Sequence, residues 1–373
     1  MQQPNESQLG DTAGLSASEI SRRRVLIGSA AALFVPIILG GEALARAAAA
    51  VGPREIPAHL LPVPDTISPE MRTVVGAPLP PGWDKVPATI EEWRAFAKMS
   101  TEGAGPLLDE IRARLGVRVE RGTIAGVPVF ISTPDKMPAE NEKRLLMHLH
   151  GGGYVLFPGE IGAGEGMMMA GYGGFRVVSV DYRMSPDFPF PAGLEDSIAV
   201  WRSLAAENDH RRMAIFGTSA GGGLTMATIL KAKADGLPLP AAIAPGSPWV
   251  DLAGRGDTIF ANQFTDNSLV TFNGWAGAAG RLYAGTNSLQ NPLISPIHGD
   301  FSGFPPAILT SGTRDLLLSD TVRAHRRLRQ AGVEAALQVF EAQSHAQYLT
   351  PFAPETEEAF GEIARFFRTH LSA

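Results

Sequence analysis

The chain has 373 residues, 45% of them hydrophobic and 19% charged, which is enough for one large α/β domain or two small ones; we expect one. Its formal net charge of −6 and its lack of Lys/Arg-rich runs with interleaved aromatic residues argue against nucleic-acid binding. The absence of cysteine excludes disulfides, a thiolate nucleophile and cysteine-ligated metal sites.

The N-terminal region predicts an export signal over residues 1–45. Ser21-Arg22-Arg23-Arg24-Val25-Leu26 resembles a twin-arginine signal and precedes an apolar run from Ile27 to Leu39. That run is shorter than the roughly 20 residues of a membrane-spanning helix, and small residues follow it at 43–47. We expect a periplasmic or secreted protein that begins near Arg46 or Ala47 and keeps no stable membrane span. An uncleaved anchor and a cytosolic N-terminus stay open.

Residues 46–116 predict a linker followed by a helical cap. A cap-like threonine, Thr89, precedes one helical pattern, and residues 106–115 carry apolar side chains at helical spacing.

Residues 117–373 predict an α/β fold with a mostly parallel central sheet and helices on both faces, because strand and helix signals alternate. A hairpin is predicted from Val117-Arg118-Val119-Glu120 and 127–131 around Ala125-Gly126. The interval 250–300 lacks this alternation of strand and helix signals, and we expect it to contribute loops or a helix near the functional face. Further strands are predicted at 144–149, 176–181, 213–216, 241–245, 307–310 and 336–340, and helices at 191–208, 220–234, 319–331 and 355–371.

The motif Gly217-Thr218-Ser219-Ala220-Gly221 lies between a predicted strand and a predicted helix. In a Gly-x-Ser-x-Gly nucleophile elbow, the glycines permit a turn tight enough to expose the serine hydroxyl. Taken alone, the motif fits a glycine-rich loop equally well. A serine nucleophile also needs a base to accept its proton and an acid to orient that base.

Asp315 and His345 complete the order nucleophile, acid, base, each in a loop after a predicted strand. The competitor Asp320 is typical of the N-terminus of a helix, where a carboxylate is favourable. Of the eight histidines, only His345 combines this order with a suitable loop. A structural or surface role is the alternative for either residue.

His150-Gly151-Gly152-Gly153 follows a predicted buried strand and predicts donors for an oxyanion. Successive glycines let backbone N–H groups approach a substrate oxygen, and the N–H of Ala220 adds another donor. A phosphate cradle is the alternative, but the Gly-Lys-Ser/Thr ending of a phosphate loop is absent.

Over residues of about 140–350, the chain resembles the hormone-sensitive-lipase-like branch of the α/β-hydrolases, also called bacterial family IV esterases. Several blocks recur in order: His150–Gly153, Asp181-Tyr182-Arg183, Pro186, Pro191-Ala192, the elbow with Gly222, Ser247–Leu252, Ser295-Pro296 and Gly312–Asp320.

The resemblance implies an α/β-hydrolase fold with an N-terminal cap over an acyl pocket. It implies Ser219 as nucleophile, Asp315 as acid and His345 as base. The oxyanion donors that it implies are Gly152, Gly153 and Ala220.

The sequence departs from this family at two places. Thr218 stands where many members carry an acid, and Ala346-Gln347-Tyr348 stands where Gly-Phe is common. Neither change removes a catalytic atom, so we expect them to affect substrate preference and pH profile rather than the reaction.

Together these features predict a serine carboxylesterase that forms an acyl-enzyme on Ser219, with neither cofactor nor metal. A cap containing Trp83 and Trp93 favours small to medium hydrophobic esters. Hydrolysis of a lactone, acetylated natural product, xenobiotic ester, amide or carbonate stays open, as does a ligand-binding homologue without turnover. A homodimer through 337–340 and 355–371, as in some relatives, also stays open.

Overall fold

The computed structural model, which describes residues 52–372, is built around an eight-stranded sheet in the order β1-β2-β4-β3-β5-β6-β7-β8. The strands β1 and β2 pair antiparallel, as do β2 and β4, and every other neighbouring pair is parallel. The strands are β1 Val117–Ile124, β2 Val127–Pro134, β3 Leu145–Leu149, β4 Arg176–Val180, β5 Met213–Thr218, β6 Ala242–Gly246, β7 Ala307–Gly312 and β8 Ala335–Phe340.

Helices precede the sheet and connect its parallel strands. They are α1 Pro69–Val75, α2 Ile90–Met99, α3 Gly105–Leu115, α4 Gly164–Gly173, α5 Ala192–Glu207, α6 Ala220–Ala234, α7 Thr258–Ala261, α8 Trp275–Ala284, α9 Leu318–Gln330 and α10 Pro354–His370.

Residues 61–372 belong to one compact unit, whereas residues 52–60 contain no helix or strand. The predicted export signal, residues 1–45, lies outside the described residues. Among residues 52–372, no helix is both long enough and apolar enough to cross a bilayer.

The sheet separates two apolar layers, because successive side chains of a strand point to opposite faces. In β3, Leu146 packs in one cluster with α3, α4 and α10. The next residue, Met147, packs in the other cluster with α5, α6 and α9. Both residues are fully buried, so β3 is an inner strand.

The predicted α/β architecture is confirmed, including the hairpin. The strands β1 and β2 pair from Val117 with Pro134 to Ile124 with Val127, and their turn has Ala125 at φ 49° and Gly126 at φ 82°. Predicted strands and helices from residue 144 onward agree with the structure to within a few residues. The interval 250–300 contains α7 and α8 between loops.

The N-terminal helical region contains the three helices α1, α2 and α3. Thr89 caps α2: its side chain accepts from the backbone N–H of Glu92, whose carboxylate accepts from the N–H of Thr89. Trp93 is buried against Phe96, whose ring lies 5.5 Å from that of Trp275. These contacts attach α2 to α8.

One close contact fixes the position of the elbow. A Cβ atom added at Gly217 or Gly221 would overlap the carbonyl oxygen of Leu149, the last residue of β3. The two glycines therefore let the turn after β5 lie directly against the end of β3.

We predict that Gly221→Ala lowers the free energy of unfolding by about 3 kcal/mol, because backbone must move to relieve the overlap. The matched control is Gly361→Ala, since Gly361 is also helical and a Cβ there meets no atom within 4 Å. It should stabilise the protein by about 0.5–1 kcal/mol. Urea denaturation of both variants tests this, and equal effects would contradict the packing argument.

Candidate active site

Ser219 occupies a strained turn between β5 and α6, with φ 63° and ψ −122°. Its N–H donates to the carbonyl of Gly246 at 2.8 Å, and its carbonyl accepts from the N–H of Trp249 at 2.9 Å. These bonds to the segment after β6 hold a backbone conformation that a non-glycine residue rarely adopts. The residue retains 9% exposure.

Asp315 and His345, which lie in the loops after β7 and β8, meet in the structure. The Nδ1–H of His345 donates to Oδ1 of Asp315 at 2.9 Å. Asp315 also accepts from the N–H of Leu317 at 2.8 Å and from the hydroxyl of Ser311 at 2.7 Å. The carboxylate therefore has a fixed orientation, and Nε2 is left as the acceptor of the imidazole.

Nε2 of His345 is buried and has no hydrogen-bond partner among residues 52–372. Ser219 and His345 line the same cavity, but no hydrogen bond joins them. Such bonds are often long before substrate binds.

The charges of Asp315 and His345 stabilise one another. Burial lowers the pKa of His345, but the charge and hydrogen bond of Asp315 outweigh burial and raise that pKa above its ordinary value. Burial in turn raises the pKa of Asp315, and the charge and hydrogen bond of His345 bring it below its ordinary value.

Asp266 is a second buried carboxylate at this site, and no sequence pattern predicted it. Its Oδ2 accepts from the N–H of Leu316 at 2.7 Å and of His345 at 3.2 Å. Its Oδ1 accepts from the N–H groups of Ser268 and Leu269. Burial, followed by the charge of Asp315, raises its pKa. Asp266 thus joins the loops that carry Asp315 and His345.

The glycine block after β3 lies beside Ser219. Gly152 has φ 103° and Gly153 has φ 63°, and both line the cavity with Ser219. The backbone N–H groups of Gly152, Gly153 and Ala220 donate to no backbone carbonyl among residues 52–372. They are free to donate to a substrate oxygen.

His150, at the start of this block, has a structural environment. Its carbonyl accepts from the hydroxyl of Tyr182 at 2.8 Å, and its ring stacks on that of Tyr182 at 4.3 Å. Burial lowers the pKa of His150 to about 4, so the imidazole is neutral near pH 7.

The cavity that contains Ser219 and His345 has a volume of about 380 Å³ and mostly apolar walls. Neither Trp83 nor Trp93 borders it, contrary to the role that the sequence predicted for a tryptophan-bearing cap. One polar side chain in the wall, Glu165, was not predicted. The apolar side chains of the wall are Leu156, Phe157, Ile161, Trp249, Leu269, Phe272, Trp275, Ala276, Leu316, Leu317, Ala346 and Leu349.

Comparisons with known proteins agree with this geometry. A family model described as the α/β hydrolase fold matches residues 146–349. An acetyl-hydrolase from Streptomyces hygroscopicus is 32% identical over 234 residues, which cover 62% of this chain and 78% of that protein.

Solved esterase structures share the fold. The crystal structure of an esterase named E25 superposes with a TM-score of 0.83 at 39% identity, covering 86% of this chain and 99% of that chain. A second structure, of an esterase from the bacterial hormone-sensitive lipase family, has a TM-score of 0.64 at 30% identity. It covers 76% of this chain and 98% of its own.

We predict that Asp315→Asn lowers the pKa of His345, because the carboxylate charge that raises it is removed while burial remains. Titration of the imidazole protons by NMR measures this directly. His150 is the internal control, since its low pKa arises mainly from burial and should not change. An unchanged His345 titration in the variant would show that the charge of Asp315 does not raise the pKa of His345.

Proposed function

The chain belongs to the α/β hydrolase fold family and to its hormone-sensitive-lipase-like branch, and we propose that it is a serine carboxylesterase for small to medium hydrophobic esters. The observation that carries this proposal is the 2.9 Å hydrogen bond between Asp315 and His345 beside the strained Ser219. His345 combines a buried Nε2 without a partner among residues 52–372, a position on the cavity that Ser219 also borders, and a carboxylate on Nδ1; His150 lacks the carboxylate, because its Nδ1 bonds to the carbonyl of Gly151.

In the proposed first half-reaction, Nε2 of His345 takes the proton of the Ser219 hydroxyl as Oγ attacks the ester carbonyl carbon. Asp315 holds the imidazole in the required tautomer and stabilises the imidazolium that forms. The carbonyl oxygen becomes an oxyanion, which accepts from the N–H groups of Gly152, Gly153 and Ala220. The intermediate collapses as His345 returns the proton to the leaving alcohol, which leaves an acyl-enzyme.

In the second half-reaction, His345 takes a proton from water, and the resulting hydroxide attacks the acyl carbonyl carbon. The same three N–H groups stabilise the second oxyanion. When the bond to Oγ breaks, Ser219 regains its proton from His345 and the carboxylic acid is released. The atoms and charges balance without any other reactant.

The cavity supports a preference for small to medium acyl groups. Its volume of about 380 Å³ is near the lower end of the range of about 300–1,000 Å³ for ligand sites. Trp275 and Phe272 contribute aromatic surface to the cavity. Phe96 of α2 packs against Trp275. An apolar acyl chain gains about 0.8 kcal/mol per buried methylene until the cavity is filled.

We also propose that the protein is exported to the periplasm or secreted. The support is the order of a paired-arginine segment, an apolar run and small residues within the first 47 positions.

The proposed activity predicts hydrolysis of p-nitrophenyl acetate and butyrate, with a decline toward palmitate as the chain exceeds the cavity. Ser219→Ala should lose about 10⁴-fold or more in kcat. Ser203→Ala, which changes a serine on α5, is the matched control and should match the wild type. If Ser219→Ala and the wild type were equally active, catalysis at Ser219 would be wrong.

The proposed export predicts that full-length protein made in a bacterial host is processed near Arg46. N-terminal sequencing of the periplasmic or secreted fraction measures the cleavage site. Replacing Arg22 and Arg23 with lysine should retain the protein in the cytosol, whereas the same change at Arg54 should not. Wild-type protein recovered from the cytosol with Met1 intact would refute export.

A further inference from the structure

Thr218 and Tyr348, at which the sequence departs from the family that it resembles, are in contact in the folded chain. The hydroxyls of Thr218 and Tyr348 lie 2.6 Å apart, although 130 residues separate them. Thr218 immediately precedes Ser219, and Tyr348 lies in a short 3₁₀ turn, Gln347–Leu349, that follows His345 closely. This hydrogen bond therefore connects the strand that carries the proposed nucleophile to the loop that carries the proposed base.

A carboxylate from α4 completes the network. Oε1 of Glu165 accepts from the hydroxyl of Thr218 at 2.7 Å, and its Oε2 lies 3.1 Å from Nε2 of His148. Nδ1 of His148 lies 3.0 Å from the hydroxyl of Ser179. The side chain of Glu165 is 10% exposed and that of His148 is fully buried. The network therefore lies in surroundings where an unmade hydrogen bond is costly.

The donors and acceptors have one consistent arrangement when Glu165 is ionised and His148 neutral. A carboxylate can only accept hydrogen bonds, so the hydroxyl of Thr218 donates its single proton to Glu165. Thr218 must therefore accept from the hydroxyl of Tyr348. His148 donates from Nε2 to Glu165 and accepts at Nδ1 from Ser179. Burial, and then the charge of Glu165, raises the pKa of Tyr348 well above its ordinary value, so the phenol keeps its proton. Every hydrogen bond of the network is then donated in the direction of the Glu165 carboxylate.

We propose that Glu165 is a positioning residue, which acts through Thr218 and Tyr348 to set the separation of Ser219 and His345. The inference rests on the proposed function. No direct hydrogen bond joins Ser219 to His345, so the elements that carry them must fix their separation. A misplacement of about 1 Å can reduce a reaction rate about 10²-fold.

This role differs from substrate binding and from simple stabilisation. Glu165 and Thr218 both border the cavity, so a contact with substrate would change KM. A structural role alone would lower the melting temperature and leave kcat per folded molecule intact. A positioning role lowers kcat and leaves KM nearly constant, because the geometry of proton transfer changes while the apolar walls do not.

The test uses three variants that replace a hydrogen-bonding group of the network with an apolar one of similar size: Glu165→Leu, Thr218→Val and Tyr348→Phe. With p-nitrophenyl butyrate, each should lower kcat about tenfold or more and change KM less than about twofold. The double variant of Thr218→Val and Tyr348→Phe should cost no more than Thr218→Val alone, because Thr218→Val already breaks the bond that Tyr348→Phe breaks. The rate at which an organophosphorus reagent labels Ser219 should fall in parallel.

Two further variants serve as controls. Thr218→Ser keeps the hydroxyl and should recover most of the kcat lost in Thr218→Val. Tyr172→Phe, which removes a phenol hydroxyl from α4 outside the network, should retain wild-type kcat. Circular dichroism and melting temperatures confirm that each variant is folded before its kinetics are compared.

Three results would overturn the inference. The first is an active wild type with an equally active Glu165→Leu, and the second is a loss confined to KM. The third is a loss of stability with unchanged kcat. A wild type no more active than Ser219→Ala would instead remove the proposed function, and this inference with it.

Discussion

The contact between the Leu149 carbonyl and the two elbow glycines is the constraint on which the site depends. Parallel pairing sets Met147 beside Ile215, so β3 and β5 end at the same edge of the sheet. The chain leaves β3 through the glycine block and leaves β5 through Ser219. Because no side chain separates the two turns, the free N–H groups of Gly152 and Gly153 border the same cavity as Ser219. Backbone packing has therefore already formed this part of the site before any ligand binds.

Charge organises the opposite side of the cavity. Two buried carboxylates, Asp315 and Asp266, flank the single imidazole of His345, and each accepts hydrogen bonds that fix its orientation. Burial, and then repulsion by the charge of Asp315, raises the pKa of Asp266. The raised pKa of His345 has a consequence for the proposed base. At mildly acidic pH a larger fraction of this imidazole is protonated than of a free histidine. Because a protonated imidazole cannot act as the base, activity should be lost at a higher pH than it would be with a free histidine.

The sequence predicted the features that local chemistry determines. Alternating strand and helix signals predicted the sheet, and the elbow and glycine block each form a continuous motif. The sequence did not predict the helix α4. All its residues, glycine and methionine among them, are buried or half-buried, so it has no polar face that would produce the helical period of hydrophobicity. Asp266 and Trp275 were not predicted as site residues for another reason. Asp266 bonds to residues 50 and 79 positions away, and such pairings leave no local pattern.

The departures at positions 218 and 348 are better understood as one change than as two. The Thr218 hydroxyl is buried, and a buried hydroxyl without a partner costs about 1–3 kcal/mol. Tyr348 is equally buried and finds its acceptor in Thr218, while Thr218 finds its acceptor in Glu165. Without Glu165 the hydroxyl of Thr218 would lose its acceptor, and without Thr218 the hydroxyl of Tyr348 would lose its acceptor. This dependence explains why an otherwise apolar helix places a glutamate under the elbow, and why a threonine is stable there without a carboxylate of its own.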